Sequence, residues 1–251
     1  GLALEGLLGT EAPEEGLVER IALREAVDQL PEKERMTILL RYFKGLTQER
    51  AARVLQMHPD SLAHRAYVYG FLCHFALDTL SHDYVAEKEA ASGLSHARIE
   101  SELERALMLR DGLDPASHRP TGHLVPSKEN AAVIADFFPE VTQEQVLDSL
   151  RGMVFYLNLL VAPSALKRWV IFTALRLAGQ FEKLGGLVVG PDPELRCEDS
   201  NAELLRRFDR AAELAARLIG DFDRVVESGQ AEDPIYGRTF DPKPEQEAAN
   251  A

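Results

Sequence analysis

Cysteine is nearly absent. Cys73 and Cys197 are the only two in 251 residues, which excludes a disulfide framework. Cys73 adjoins His74, but its direction on a helix differs by about 100°, so it reads as core rather than ligand. No apolar run reaches the 18 or more residues of a membrane span, and the longest, from Trp169 to Ala178, is interrupted by Arg176. The start lacks a basic region followed by an apolar one, so no signal peptide is expected and the location expected is cytoplasmic. The chain begins with Gly rather than Met, which suggests a fragment or a processed terminus. Positive charge is also short. Lys and Arg number 28 against 41 Asp and Glu, a formal charge of -13. That balance argues against nucleic acid as a partner of the whole molecule and favours cationic surfaces or metal ions. There is no internal repeat, no phosphate-cradling glycine loop and no Gly-x-Ser-x-Gly elbow. No segment reads as a convincing strand pair, which leaves an all-α fold.

What is present is helical patterning over a 45% hydrophobic composition, enough for a sizeable core. Leu17 to Leu30 repeats at helical spacing until Pro31 breaks it, and Glu32 to Phe43 forms a second helix closed by Gly45. Thr47 caps a third helix from Gln48 to Leu55. Three helices are expected over about 60–80, 82–90 and 95–110. A loop follows from Asp111 to Lys128, carrying His118 and His123 as exposed residues. Further helices are expected from Glu129 to Phe138, from Thr142 to about Leu160 with a capping box to Gln145, and from Ser164 to Glu182. Gly185 to Asp199 reads as a loop. Asn201 to Ser228 is the clearest amphipathic helix, with Leu204, Leu205, Phe208, Ala211, Leu214 and Leu218 on one face. The tail, Gly229 to Ala251, is rich in Pro, Asp and Glu and is expected to dock loosely or stay disordered.

The chemistry concentrates in two short stretches. His74, Asp78 and His82 fall at i, i+4 and i+8, within an arc of roughly 80° on a helix. His96 and Glu100 share a second face. Imidazole nitrogens and carboxylate oxygens are the ligands of catalytic zinc. Asp78 lies in the apolar run Phe71 to Leu80, where an unpaired carboxylate is costly to bury and either a metal or an Arg would neutralise it. Glu87, Glu89, Glu102 and Glu104 read as a solvated face.

Two resemblances follow. Ala66-Tyr-Val-Tyr-Gly-Phe-Leu-Cys-His-Phe-Ala-Leu-Asp78, His82-Asp-Tyr-Val85 and Ser95-His-Ala-Arg-Ile-Glu-Ser-Glu102 resemble the bacterial zinc-dependent phospholipase C family. Leu109-Arg-Asp-Gly112 and Gly122-His-Leu-Val-Pro126 share that look. The resemblance implies a compact helical domain over about 58–240 with zinc at the bottom of a cleft, and hydrolysis of a phospholipid or another phosphodiester. It implies His74 and Asp78 on one ion and His82, His96 and Glu100 on a second, with Asp78 able to bridge. The family also uses ligands from the part of the domain before this helix, and no His precedes His58 here. The first ion would therefore need His58, His64 or a carboxylate from elsewhere. Zinc, one or two ions, is the expected cofactor.

Ala22-Leu-Arg-Glu-Ala-Val-Asp-Gln-Leu-Pro-Glu-Lys-Glu-Arg35, Leu39-Leu-Arg-Tyr-Phe-Lys-Gly-Leu-Thr-Gln48 and Glu49-Arg-Ala-Ala-Arg-Val-Leu55 resemble region 4 of bacterial RNA polymerase sigma factors. A helix-turn-helix is then expected, with Thr47 to Leu55 as its first helix. The next segment, His58 to Gly70, has Arg65 as its one firm cation, so the resemblance is expected to end near Met57 and DNA or polymerase contact is not expected. The division expected is a sigma-like segment 1–57, a phospholipase-like helical domain 58–228 that lacks the usual front part, and an acidic tail 229–251. The function expected is a zinc-dependent, phospholipase C-like phosphodiester hydrolase with an incomplete metal site. The alternatives are a sigma-like transcription module or a fusion without function.

Overall fold

The computed structural model describes residues 46–231 and 233–237. These residues are all-helical, with no strand among them. The helices are α1 Gln48–Met57, α2 Leu62–Ser92, α3 His96–Arg110, α4 Lys128–Phe137, α5 Gln143–Leu160, α6 Ala165–Leu177, a short α7 Phe181–Leu184, and α8 Glu198–Ser228. Short 3-10 turns lie at Gly185–Leu187, Leu195–Cys197 and Pro234–Gly237. The helices expected over 17–30 and 32–43 fall outside the described residues, as does the tail beyond 237.

The helix ends follow from local chemistry. Thr47 Oγ1 accepts a hydrogen bond from the Arg50 amide at 3.2 Å, satisfying one of the orphan donors of α1. Thr142 and Gln145 form a reciprocal box: Gln145 Oε1 accepts from the Thr142 amide at 2.9 Å, and Thr142 Oγ1 accepts from the Gln145 amide at 3.2 Å. Ser127 and Ser164 cap α4 and α6 in the same way. One expectation is corrected. The helices placed over 60–80 and 82–90 are a single helix, α2, of 31 residues. Nothing between Leu80 and Asp83 can break it, since neither Ser81 nor His82 is a Pro or a Gly. It ends where Gly93 takes φ +65°, a left-handed cap open to residues without a Cβ.

The described residues group into two units. The first joins 46–67, Gly122–Tyr156 and Val225–Gln230. Its α1 buries Ala51, Ala52, Val54 and Leu55, while Ala131, Val146 and Leu147 form a cluster between α4 and α5. Phe137 is fully buried and packs on Tyr67, ring centroids 4.7 Å apart. Burial pushes the Tyr67 phenol up to about 12. Arg50 pairs with Glu140 at 3.3 Å, and the Gln56 side chain donates to the Val226 carbonyl.

The second unit joins Val68–Thr121, Leu157–Arg224 and the residues from 231 on. Val85, Leu94, Ile99, Cys197 and Leu204 make its core cluster. Arg207 of α8 donates to the Leu80 carbonyl at 2.5 Å and lies 4.7 Å over the Tyr84 ring. Lys88 donates to Asp199 at 2.6 Å. These contacts hold the middle of α2 against α8. Cys73 is exposed, not core, because its direction on α2 faces solvent. Helix α6 buries none of its residues, and Leu166, Trp169, Val170 and Leu177 are exposed. No single helix among the described residues is long and apolar enough to cross a membrane.

Candidate functional site

In the second unit, α2 carries His74, Asp78 and His82 along one face. The His74 Nε2 lies 3.1 Å from an Asp78 carboxylate oxygen. On α3, His96 Nε2 lies 3.1 Å from Glu100. The His82 and His96 rings are 5.3 Å apart between centroids. The structure thus gathers all five residues named from the sequence. The contacts among them are His74 with Asp78, His96 with Glu100, and the His82 ring beside that of His96.

Asp78 is the electrostatic centre of this group. Burial pushes its carboxyl above the usual carboxylate range, and Glu100 adds to the rise. His74, His82 and His96 pull it back down. The ligand-type contacts here are pairwise, His74 with Asp78 and His96 with Glu100, with the His82 ring beside that of His96. No Arg pairs with Asp78 among the described contacts; its ion-pair partner is His74.

Glu89, expected on a solvated face, instead contacts the start of α3. Its Oε1 accepts from the His96 backbone amide at 3.0 Å, and its other oxygen lies 3.6 Å from His96 Nδ1. Glu89 therefore caps the N-terminus of α3 and orients the His96 ring. The His96 imidazole is held above its ordinary value, first by its hydrogen bond to Glu100, with both Glu charges adding. The start of α3 is fixed from the other side by Gly186. A Cβ there would come within 2.9 Å of the Arg98 backbone nitrogen, so only glycine lets the Gly185–Leu187 turn pass this close. Arg98 and Arg105 flank the buried Glu102 at 3.8 Å each, and Arg105 donates to the Pro191 carbonyl at 2.8 Å. Glu102 is thus a buried anchor of α3 rather than part of a solvated face. His118 is half-buried and His123 exposed in the 111–127 loop.

In the first unit, α1, a turn at 58–61 and the first turns of α2 form a helix-turn-helix. His58 caps α1, and its amide donates to the Val54 and Leu55 carbonyls. The Ser61 amide closes the turn on the His58 carbonyl at 3.1 Å. The outer face of the second helix is apolar at its start: Leu62 is 81% exposed, with Ala63, Ala66 and Gly70 also exposed. His58 and His64, named above as possible helpers for the first ion, are engaged here with Asp136 of α4, at 3.5 and 3.0 Å.

A family model described as "Sigma-70, region 4" matches residues 20–67. The match runs past Met57, where the sequence reading had ended it, and through the turn into α2. It ends at Tyr67, the last residue of α2 in the first unit. No curated protein and no solved structure matches the chain.

Proposed function

We propose that residues 20–67 act as a sigma-region-4 module whose partner is bacterial RNA polymerase. The observation that carries this reading is the coincidence of the family match with a capped helix-turn-helix that packs as part of one unit. The exposed start of the second helix favours protein contact over base readout. Reading base edges takes Arg, Lys, Asn or Gln side chains in the major groove. Here Leu62, Ala63, Ala66 and Gly70 face out and Arg65 is the sole cation of the segment. Exposed Met57 and Leu62 instead offer an apolar contact. This partner reverses the expectation drawn from charge alone, and it places the working chain in the cytoplasm. The test is binding of the full chain to core RNA polymerase, with promoter DNA in a separate arm. Saturable binding to the polymerase that weakens in Leu62→Glu supports the reading. Binding to neither polymerase nor promoter DNA at low salt sinks it.

A second reading concerns the second unit, and the clustering of His74, His82, His96 and Glu100 around Asp78 favours it. There we propose a zinc-dependent, phospholipase C-like phosphodiester hydrolase. Bound zinc would lower the pKa of a water and clamp phosphate charge. His74 with Asp78 and His82 with His96 and Glu100 would hold the ions, and Glu89 would fix the His96 ring. The test is zinc content beside His82→Ala and Glu100→Ala variants, followed by a phosphodiesterase assay. One equivalent of zinc present in wild type and missing from both variants supports it. A chain that takes up no zinc at this cluster rejects it.

A further inference from the structure

We propose that His58, His64 and Asp136 form a binding site for a transition-metal ion of the zinc class, built into the turn of the helix-turn-helix. This site is separate from the Asp78 cluster and goes beyond both readings above. Its three ligands come from three elements of one unit. His58 caps α1, His64 stands in the first turn of α2, and Asp136 lies near the end of α4.

The ligand atoms of the three residues all lie within 4.8 Å of one another. His64 Nε2 is 3.0 Å and His58 Nε2 is 3.5 Å from the same Asp136 oxygen. Zinc bound tetrahedrally at 2.0–2.1 Å sets its ligand atoms about 3.3 Å apart, so both separations match an edge of that tetrahedron. The two imidazoles are stacked, centroids 4.1 Å apart and planes 6° from parallel, so for both in-plane Nε2 lone pairs to meet at one ion the part-exposed His58 ring must turn out of the stack.

The support around the ligands is also in place. His64 is buried, and its Nδ1 lies 2.6 Å from Ser61 Oγ. A serine hydroxyl both donates and accepts, so it can take the Nδ1 proton's hydrogen bond when Nε2 turns to a metal. Such an outer partner fixes the tautomer and aim of a metal-binding imidazole. Phe137 backs the His64 ring at 5.8 Å between centroids. His58 and Asp136 are part-exposed, at 38% and 44% of their side chains, which leaves a route for the ion and a fourth position for water or an added ligand. An ion here ties the turn at 58–61 to α4 and stiffens the segment that the polymerase-docking helix starts from.

The experiment uses the full chain, stripped with a chelator and titrated with cobalt(II) and then zinc. His58→Ala and Asp136→Asn are compared with wild type and with His82→Ala, helix content being checked by circular dichroism. The expected result is one equivalent of metal, with its cobalt absorption bands, lost in both His58→Ala and Asp136→Asn and retained in His82→Ala. Equal metal content in wild type, His58→Ala and Asp136→Asn would overturn the proposal and leave His64 as a buried, hydrogen-bonded histidine. A readout without substitution is the set of His64 and Phe137 ring proton signals in wild-type protein. Cobalt should shift or broaden them, and unchanged signals at saturating cobalt overturn the site. Because His82→Ala spares this equivalent, failure here is distinguishable from failure at the Asp78 cluster.

Discussion

His96 and Glu100 face each other across one turn of α3, Nε2 to carboxylate oxygen at 3.1 Å. The pair holds the His96 imidazole above its ordinary value of about 6.5. A histidine raised on folding contributes stability that is complete below its unfolded pKa and disappears as pH rises through the folded one. In metal-free protein, stability should therefore fall as pH climbs just above 6.5. Glu100→Gln should flatten that slope, read from urea midpoints at a series of pH values. Zinc requires the neutral ring, so its affinity at the cluster should change in the opposite sense. It should rise with pH through the same window, by up to about tenfold per unit.

Gly186 is the second point of leverage. Replacing it by Ala puts a methyl 2.9 Å from the Arg98 backbone nitrogen, where backbone must shift. The expected cost is about 1–3 kcal/mol, as for other overpacked sites. Because the strain falls at the start of α3, zinc affinity at the Asp78 cluster should drop with it. Urea unfolding and zinc titration of Gly186→Ala check both. Wild-type stability would show that the turn does not pack on α3 as described.

Thr47→Ala removes the cap of α1 and should cost about 1 kcal/mol, with Thr47→Ser close to neutral. Hydrogen exchange locates the effect. The Arg50 amide, bonded to Thr47 Oγ1, should lose protection while α3 and α8 amides keep theirs.

The helix punctuation was legible because it is local. Thr47 and the Thr142–Gln145 box act within a few residues of themselves, and α8 carries its apolar face in its own spacing. The pairing of His74 with Asp78 and of His96 with Glu100 was legible for a related reason: each pair lies at i and i+4 of one helix. The partners that complete the sites were not local. Asp136 meets His64 from 72 residues away, and Gly186 meets α3 after four intervening helices. Glu89 left no signal, since an acidic residue on a polar helix face looks solvated until the next helix turns back onto it. The end of the sigma-like segment was misplaced because the charge of the second helix was weighed and its turn geometry was not.

The most direct test of the account is where position 62 lies when the chain meets polymerase. A photo-reactive amino acid placed at Leu62, with another at the exposed Arg151 on α5 as a control, would be irradiated in the presence of core RNA polymerase and promoter DNA. The account predicts cross-links from position 62 to a polymerase subunit and none from position 151. No polymerase cross-link from position 62, or one to DNA alone, would contradict it.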